Sequence, residues 1–220
     1  MRQLALDIAV SPAPTFDNFV AGRNAEVLAH LKSALAGTGE RFIYLWGAAG
    51  SGRTHLLKAA TAATGPNAAY VACHASSVFN DDAALLAADD VEHLGAEAQV
   101  ALFNRYNGLR EAGGGLLASG SVPPVQLALR ADLMTRLSWG LVLQVHALTD
   151  AEKAQALAQQ ALARGFTLSG EVISYLLTHV PRDMGALFAT LDALDRHSLE
   201  TKRAITVPLV RELLQNKNFQ

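Results

Sequence analysis

The chain has 220 residues, 50% hydrophobic and 17% charged. That suffices for one large domain, or one plus a small appendage, and excludes disorder by composition. Eighteen basic against twenty acidic residues leave a formal charge of −2, too weak a positive field for tight nonspecific DNA binding by the chain alone. The single cysteine, Cys73, excludes an intrachain disulfide and a cysteine-based zinc site. Without an apolar run of about 18 residues or a signal-like start, the expectation is a soluble, cytoplasmic protein with no membrane partner.

Residues 1–14 stand apart. Pro12 and Pro14 break regular structure, and the segment reads as a tail. A helix is predicted over Asn24–Ala36, where Ala25, Leu28, Leu31 and Leu35 share one face. Arg41–Trp46 reads as a strand, Thr54–Ala63 as a helix, and Ala69–Ala72 as a second strand. Asp82–Ala88 is apolar but Ala-rich and fits either element. A helix over Glu97–Glu111 and strands over Leu116–Ser119 and Leu141–Val145 follow. Strands alternating with helices predict a parallel sheet covered on both faces. Beyond Val145 only helices are predicted. Thr149-Asp150-Ala151-Glu152 is a capping box, with later helices near Glu171–His179, Arg182–Leu199 and Val207–Gln215. The expected organisation is a tail (1–14), an α/β body (15–147) and an all-helical lid (148–220).

The most specific motif is Gly47-Ala48-Ala49-Gly50-Ser51-Gly52-Arg53-Thr54. It lies between a strand and a helix, as the phosphate-cradling P-loop requires. Gly47, Gly50 and Gly52, with Ser51 between the last two, let backbone N–H groups turn toward phosphate oxygens. The following helix adds its positive end. Thr54 offers a hydroxyl to Mg²⁺. Arg53 stands where the pattern has Lys: the charge is kept, but as a planar fork rather than a compact ammonium. Nucleotide binding is expected to survive that exchange better than hydrolysis. Downstream, Asp89 and Asp90 close the apolar run Leu85–Ala88. Beyond a P-loop, such a pair suits Mg²⁺ binding (Asp89) and water activation (Asp90), and this makes 82–88 a strand.

These residues and their surroundings resemble the AAA+ ATPases of the DnaA clade over nearly the whole chain. Thr15-Phe16-Asp17-Asn18-Phe19 resembles the segment opening the AAA+ region there. Tyr44-Leu45-Trp46-Gly47 and Gly52–Leu57 resemble the P-loop of a branch in which Arg is the usual form. Leu116–Leu127 is similar to the sensor-1 strand and its double-proline loop, with Ser121 near the place of an Asp or Asn that positions water. Asp132–Gly140 resembles the arginine-finger motif, with Arg136 at the finger position. Pro181-Arg182-Asp183-Met184 resembles the sensor-2 helix start. Gln3-Leu4-Ala5-Leu6 resembles the peptide by which proteins dock on the replicase sliding clamp. An extended segment puts Leu4 and Leu6 on one face and Gln3 at the pocket rim; Asp7 departs from the usual apolar residue.

The resemblance implies an AAA+ fold with ADP or ATP and Mg²⁺ in a cleft between body and lid, Arg182 serving as the sensor arginine. It implies a negative regulator of replication initiation, with the sliding clamp and DnaA as partners. DNA is reached only through the clamp, and a homo-oligomer is left open. Arg136, flanked by the burying Leu133 and Leu137, is expected to be exposed and to act on ATP held by DnaA. No basic helix-turn-helix follows the lid helices, which points away from the initiator itself. A P-loop ATPase using its own nucleotide and a helicase- or clamp-loader-type adaptor are the alternatives.

Overall fold

A computed structural model describes residues 13–79 and 82–217. The Gln3, Leu4 and Leu6 peptide lies outside the described residues. Two compact units are present, Ala13–Ala147 and the chain from Leu148 onward.

The first unit is a five-stranded sheet. Its strands are β1 (Phe42–Trp46), β2 (Ala68–Ala72), β3 (Leu85–Asp89), β4 (Gly115–Gly120) and β5 (Leu141–Gln144). Their order is β2-β3-β4-β1-β5, every pair parallel. Four helices accompany them: α1 (Ala25–Leu35), α2 (Arg53–Thr64), α3 (Ala96–Glu111) and α4 (Ala131–Leu137).

The period-two alternation of the central strands builds two cores. Phe42, Tyr44, Leu86, Ala88, Leu116 and Ala118 share a core with Leu102, Tyr106 and Leu109 of α3 and Leu133 and Leu137 of α4. Ile43, Leu45, Leu85, Ala87 and Leu117 share the other with Val27 and Leu31 of α1 and Leu56 and Leu57 of α2. The middle strands are therefore apolar throughout, whereas β5 alternates half-buried and exposed residues. The Ala-rich stretch is strand: Ala87 and Ala88 are fully buried.

Asn24 stands at the start of α1 as expected, as its N-cap residue without a side-chain cap bond. Its side chain is a buried bridge, donating from Nδ2 to the His146 carbonyl (2.9 Å) and accepting from the His146 N–H (2.7 Å). This ties the start of α1 to the chain just past β5. Asp90, Ser119 and the Gly47–Gly52 loop all fall at the C-terminal edge of the central strands, where ligands of open α/β sheets bind.

The second unit is all helix: α5 (Asp150–Ala163), α6 (Gly170–His179), α7 (Met184–Thr201) and α8 (Val207–Lys217). The Thr149 capping box forms, with the Glu152 N–H donating to Oγ1 at 3.2 Å and the Thr149 N–H to the Glu152 carboxylate at 2.7 Å. Leu157, Leu176, Leu187, Leu191, Leu194 and Val210 make its core. Helix α7 starts two residues later than expected, because Asp183 is its N-cap, accepting from the Ala186 N–H at 2.8 Å. Arg182 thus precedes the helix rather than starting it.

Leu86 is fully buried between β2 and β4. Leu86→Ala is expected to lower the stability of the α/β unit by about 2–5 kcal/mol. Leu199→Ala, at a side chain 72% exposed, is expected to stay within about 0.5 kcal/mol of the parent. Urea unfolding followed by tryptophan emission checks the first, since Trp46 and Trp139 both lie in the α/β unit, and far-UV circular dichroism checks the second.

Candidate functional site

The loop leaving β1 uses each of its glycines for a different reason. At Gly47 a Cβ would lie 2.2 Å from the Val145 carbonyl oxygen. Gly50 and Gly52 have φ of +75° and +102°, values L side chains rarely adopt. A Cβ on Gly52 would also meet the Phe19 ring at 2.8 Å. Phe19 is held there by the Thr15–Phe19 segment. Thr15 and Asn18 exchange side-chain-to-backbone hydrogen bonds (2.8 and 3.2 Å), and Nε2 of His55, on α2, lies 2.9 Å from the Thr15 carbonyl.

The N-terminus of α2 has no side-chain cap and no acidic residue in its first turn. Its free N–H groups and positive dipole end favour an anion. Two buried atoms beside it, Ser51 Oγ and Arg53 Nη1, have no hydrogen-bond partner among the described residues. Buried polar groups are normally satisfied, and a negatively charged ligand would satisfy the Arg53 donor and the free N–H groups. Thr54 is exposed at the start of α2.

Carboxylates face the cradle. Asp89 is 3% exposed; its Oδ2 accepts from the Tyr70 hydroxyl at 2.8 Å and its Oδ1 from Ser119 Oγ. Ser119 Oγ accepts in turn from the Asp90 N–H at 2.9 Å. Asp90 has φ +55°, and Arg53 Nη2 lies 3.1 Å from its Oδ1. Burial raises the Asp90 carboxyl above its ordinary range, with Asp89 adding to the rise and Arg53 opposing it. Glu92 accepts the Ser121 N–H through Oε1 at 2.8 Å, while its Oε2 is buried without a partner. Tyr44, whose hydroxyl donates to the Val122 carbonyl at 2.9 Å, has its phenol pushed up by burial and then by Glu92.

The structure therefore brings Gly47, Gly50, Ser51, Gly52, Arg53, Thr54, Asp89 and Asp90 to one strand edge. Sequence reasoning missed Tyr44, Tyr70, Glu92 and Ser119. The Asp-Asp-Val-Glu spacing was the available sign of Glu92. Ser119 could be found only from the register that pairs Ala88 with Ala118. Among the described residues, no group of three or more His, Cys, Asp or Glu could hold a metal ion. Cys73, its thiol pushed up to about 12 chiefly by burial, offers no reactive thiolate.

Arg136 departs from expectation. It is half-buried, its guanidinium 4.0 Å from the Trp139 ring centroid, and its Nε is buried without a partner. Leu133 and Leu137 bury as expected, but the long Arg side chain folds onto aromatic neighbours. Arg182 lies in the helical unit; its side chain is 67% exposed and Nη1 is 3.9 Å from Asp150 Oδ2.

Residues 150–214 match the family model of the Hda lid domain, and residues 10–81 that of the bacterial DnaA ATPase domain. AMPPCP-bound DnaA from Aquifex aeolicus is similar with a TM-score of 0.69 and 22% identity, over 84% of this chain and 65% of that one. This chain therefore spans just under two thirds of that protein's length. Domain III of DnaA from Thermotoga maritima gives 0.69 and 20%, over 93% and 97%. RuvB from Thermotoga maritima gives 0.62 and 12%, over 94% and 74%. At these identities the likeness is one of fold. Among the described residues, no helix is long and apolar enough to cross a membrane.

Because Arg53 opposes the rise of the Asp90 carboxyl, Arg53→Ala is expected to move the Asp90 titration further up. Carboxyl ¹³C NMR reads this directly. An Asp90 midpoint that stays put or falls would show that the pair does not control it.

Proposed function

We propose a function from one premise: the chain belongs to the DnaA clade of AAA+ proteins and carries an Hda-type lid. On this reading it is a nucleotide-bound negative regulator of replication initiation that acts on DnaA. The observation that carries it is the cradle at α2, with its uncapped helix end and the buried, unpartnered Ser51 Oγ and Arg53 Nη1. These are donors arranged for a diphosphate or triphosphate.

ADP or ATP would be held by the N–H groups of Gly50–Thr54 and by Arg53, with Arg182 as the sensor arginine. Thr54 would offer its hydroxyl to Mg²⁺, whose remaining positions water and the nucleotide phosphates would fill. Asp89 would serve it through water, since both its oxygens already accept hydrogen bonds. Bound nucleotide supplies the charge that draws these groups together and fixes the loop. Arg53 would turn from Asp90 toward phosphate.

Turnover of the chain's own ATP is expected to be weak. Asp90 faces a guanidinium fork 3.1 Å away, and Ser121 is small, neutral and committed through its N–H to Glu92. The chain's contribution would instead be made in trans. Arg136 neutralises charge developing on the γ-phosphate of ATP held by DnaA. Gln3, Leu4 and Leu6 would dock the protein on the DNA-loaded sliding clamp, so that DNA is met only through it. Hydrolysis then leaves DnaA in its ADP form.

Two measurements test this. Calorimetry is expected to show ADP binding that Gly52→Val abolishes, because a side chain there meets Phe19 and the required φ; binding unchanged by Gly52→Val would remove the cradle from the account. With clamp-loaded DNA, the wild-type chain is expected to stimulate hydrolysis of DnaA-bound ATP. Arg136→Ala is expected to lose on the order of 10³-fold of that stimulation, and Gln3→Ala with Leu4→Ala and Leu6→Ala to lose its clamp dependence. Full stimulation by Arg136→Ala would remove the trans role from the account, and steady ATP turnover by the isolated chain that Asp90→Asn abolishes would favour a self-acting ATPase.

A further inference from the structure

Arg136 is held by aromatic rings alone. Its guanidinium carbon lies 4.0 Å from the centroid of Trp139, 5.6 Å from Phe103 and 6.0 Å from Tyr106. Among the described residues no carboxylate pairs with it. This contrasts with Arg53, Arg130, Arg164 and Arg203, each of which meets a carboxylate. A ring quadrupole attracts a cation without cancelling its charge, so a guanidinium seated this way is oriented and still fully positive.

Trp139 is the closest of the three rings, and its backbone is fixed on both sides. Its backbone N–H donates to the Arg136 carbonyl at 3.2 Å, and the Ser138 backbone N–H to the Met134 carbonyl at 3.1 Å, closing the end of α4. On its other side Gly140 packs so tightly that a Cβ would lie 1.9 Å from the Phe42 carbonyl oxygen. The indole is nonetheless 55% exposed. A large aromatic whose backbone is fixed on both flanks while its ring is left half in water is poorly explained by core packing. A second guanidinium, Arg110, lies 5.6 Å from the same ring.

We propose that Trp139 is a positioning residue for Arg136: its ring sets the direction of the guanidinium and keeps it free of any carboxylate, ready for an anion on a second protein. This rests on the reading of Arg136 as a group acting in trans. Trp139 itself touches no reacting atom; it acts through Arg136 alone. Its effect therefore falls on the rate reached at saturation, not on how tightly the two proteins associate.

The test is stimulation of DnaA-bound ATP hydrolysis by the full chain with clamp-loaded DNA, titrated to saturation. Trp139→Leu, which keeps apolar bulk but no quadrupole, is expected to lower the maximal rate roughly 2- to 30-fold, the worth of one cation–π contact. The half-saturating concentration is expected to hold. Trp139→Phe, which keeps a π face, is expected to recover most of the rate. Equal rates for the Leu and Phe variants, a shift confined to half-saturation, or a faster Leu variant would overturn the inference. Arg136→Ala run alongside separates the two levels. If it is as active as wild type, the trans reading fails; if it is inactive while Trp139→Leu is fully active, only the positioning role does. Should Trp139→Leu fail to fold, Trp139→Phe against wild type and Trp139→Tyr still reads the ring's contribution, and equal rates for all three with Trp139→Met would overturn it.

Discussion

A buried carboxylate cannot be left bare, and the arrangement of this sheet answers to Asp89. Leaving that group unsatisfied at 3% exposure would cost several kcal/mol. The chain meets the need with a hydroxyl from each flanking strand, Tyr70 from β2 and Ser119 from β4. The same Ser119 oxygen then takes the Asp90 N–H. That bond belongs with the left-handed turn at Asp90, which brings its carboxylate to Arg53. One requirement at the end of β3 thus links the register of three strands to the ion pair that Arg53 makes beside the P-loop.

The α/β unit handles two arginines in opposite ways. Arg53 is balanced within the molecule, against a carboxylate whose own ionisation is penalised by burial. Arg136 is held against aromatic rings and balanced by nothing in the described chain. A neutralised cation is a poor lure for a distant phosphate, and a bare one buried with an orphaned Nε is costly to keep. Keeping one beside a half-exposed indole makes physical sense if an anion completes it from outside. The fold alone does not decide this, because RuvB shares it at 12% identity. The decision lies with particular side chains.

Much of this was legible in the residues. Strand–helix alternation gave the parallel sheet, and the glycine spacing with Arg53 and Thr54 gave the cradle, because both are local patterns. The Ala-rich 82–88 segment was ambiguous locally and was resolved only by what a P-loop needs downstream. Ser119 and Tyr70 were invisible because their roles depend on strand register across chain separations of 30 and 19 residues. The slot around Arg136 was missed for the same reason: Phe103 and Tyr106 come from α3, and helical spacing at Leu133 and Leu137 says only which face buries. The start of α7 was misplaced through a local error, since Asp183 before an apolar run is itself a cap signal.

The central claim is that a chain loaded with its own nucleotide drives hydrolysis in another protein. The direct measurement mixes this chain, preloaded with unlabelled ADP, with DnaA preloaded with γ-labelled ATP on clamp-loaded DNA, and follows release of labelled phosphate in a single turnover. The account predicts rapid release from DnaA while the unlabelled ADP stays on this chain. Release no faster than from DnaA alone, with or without the clamp, would contradict it.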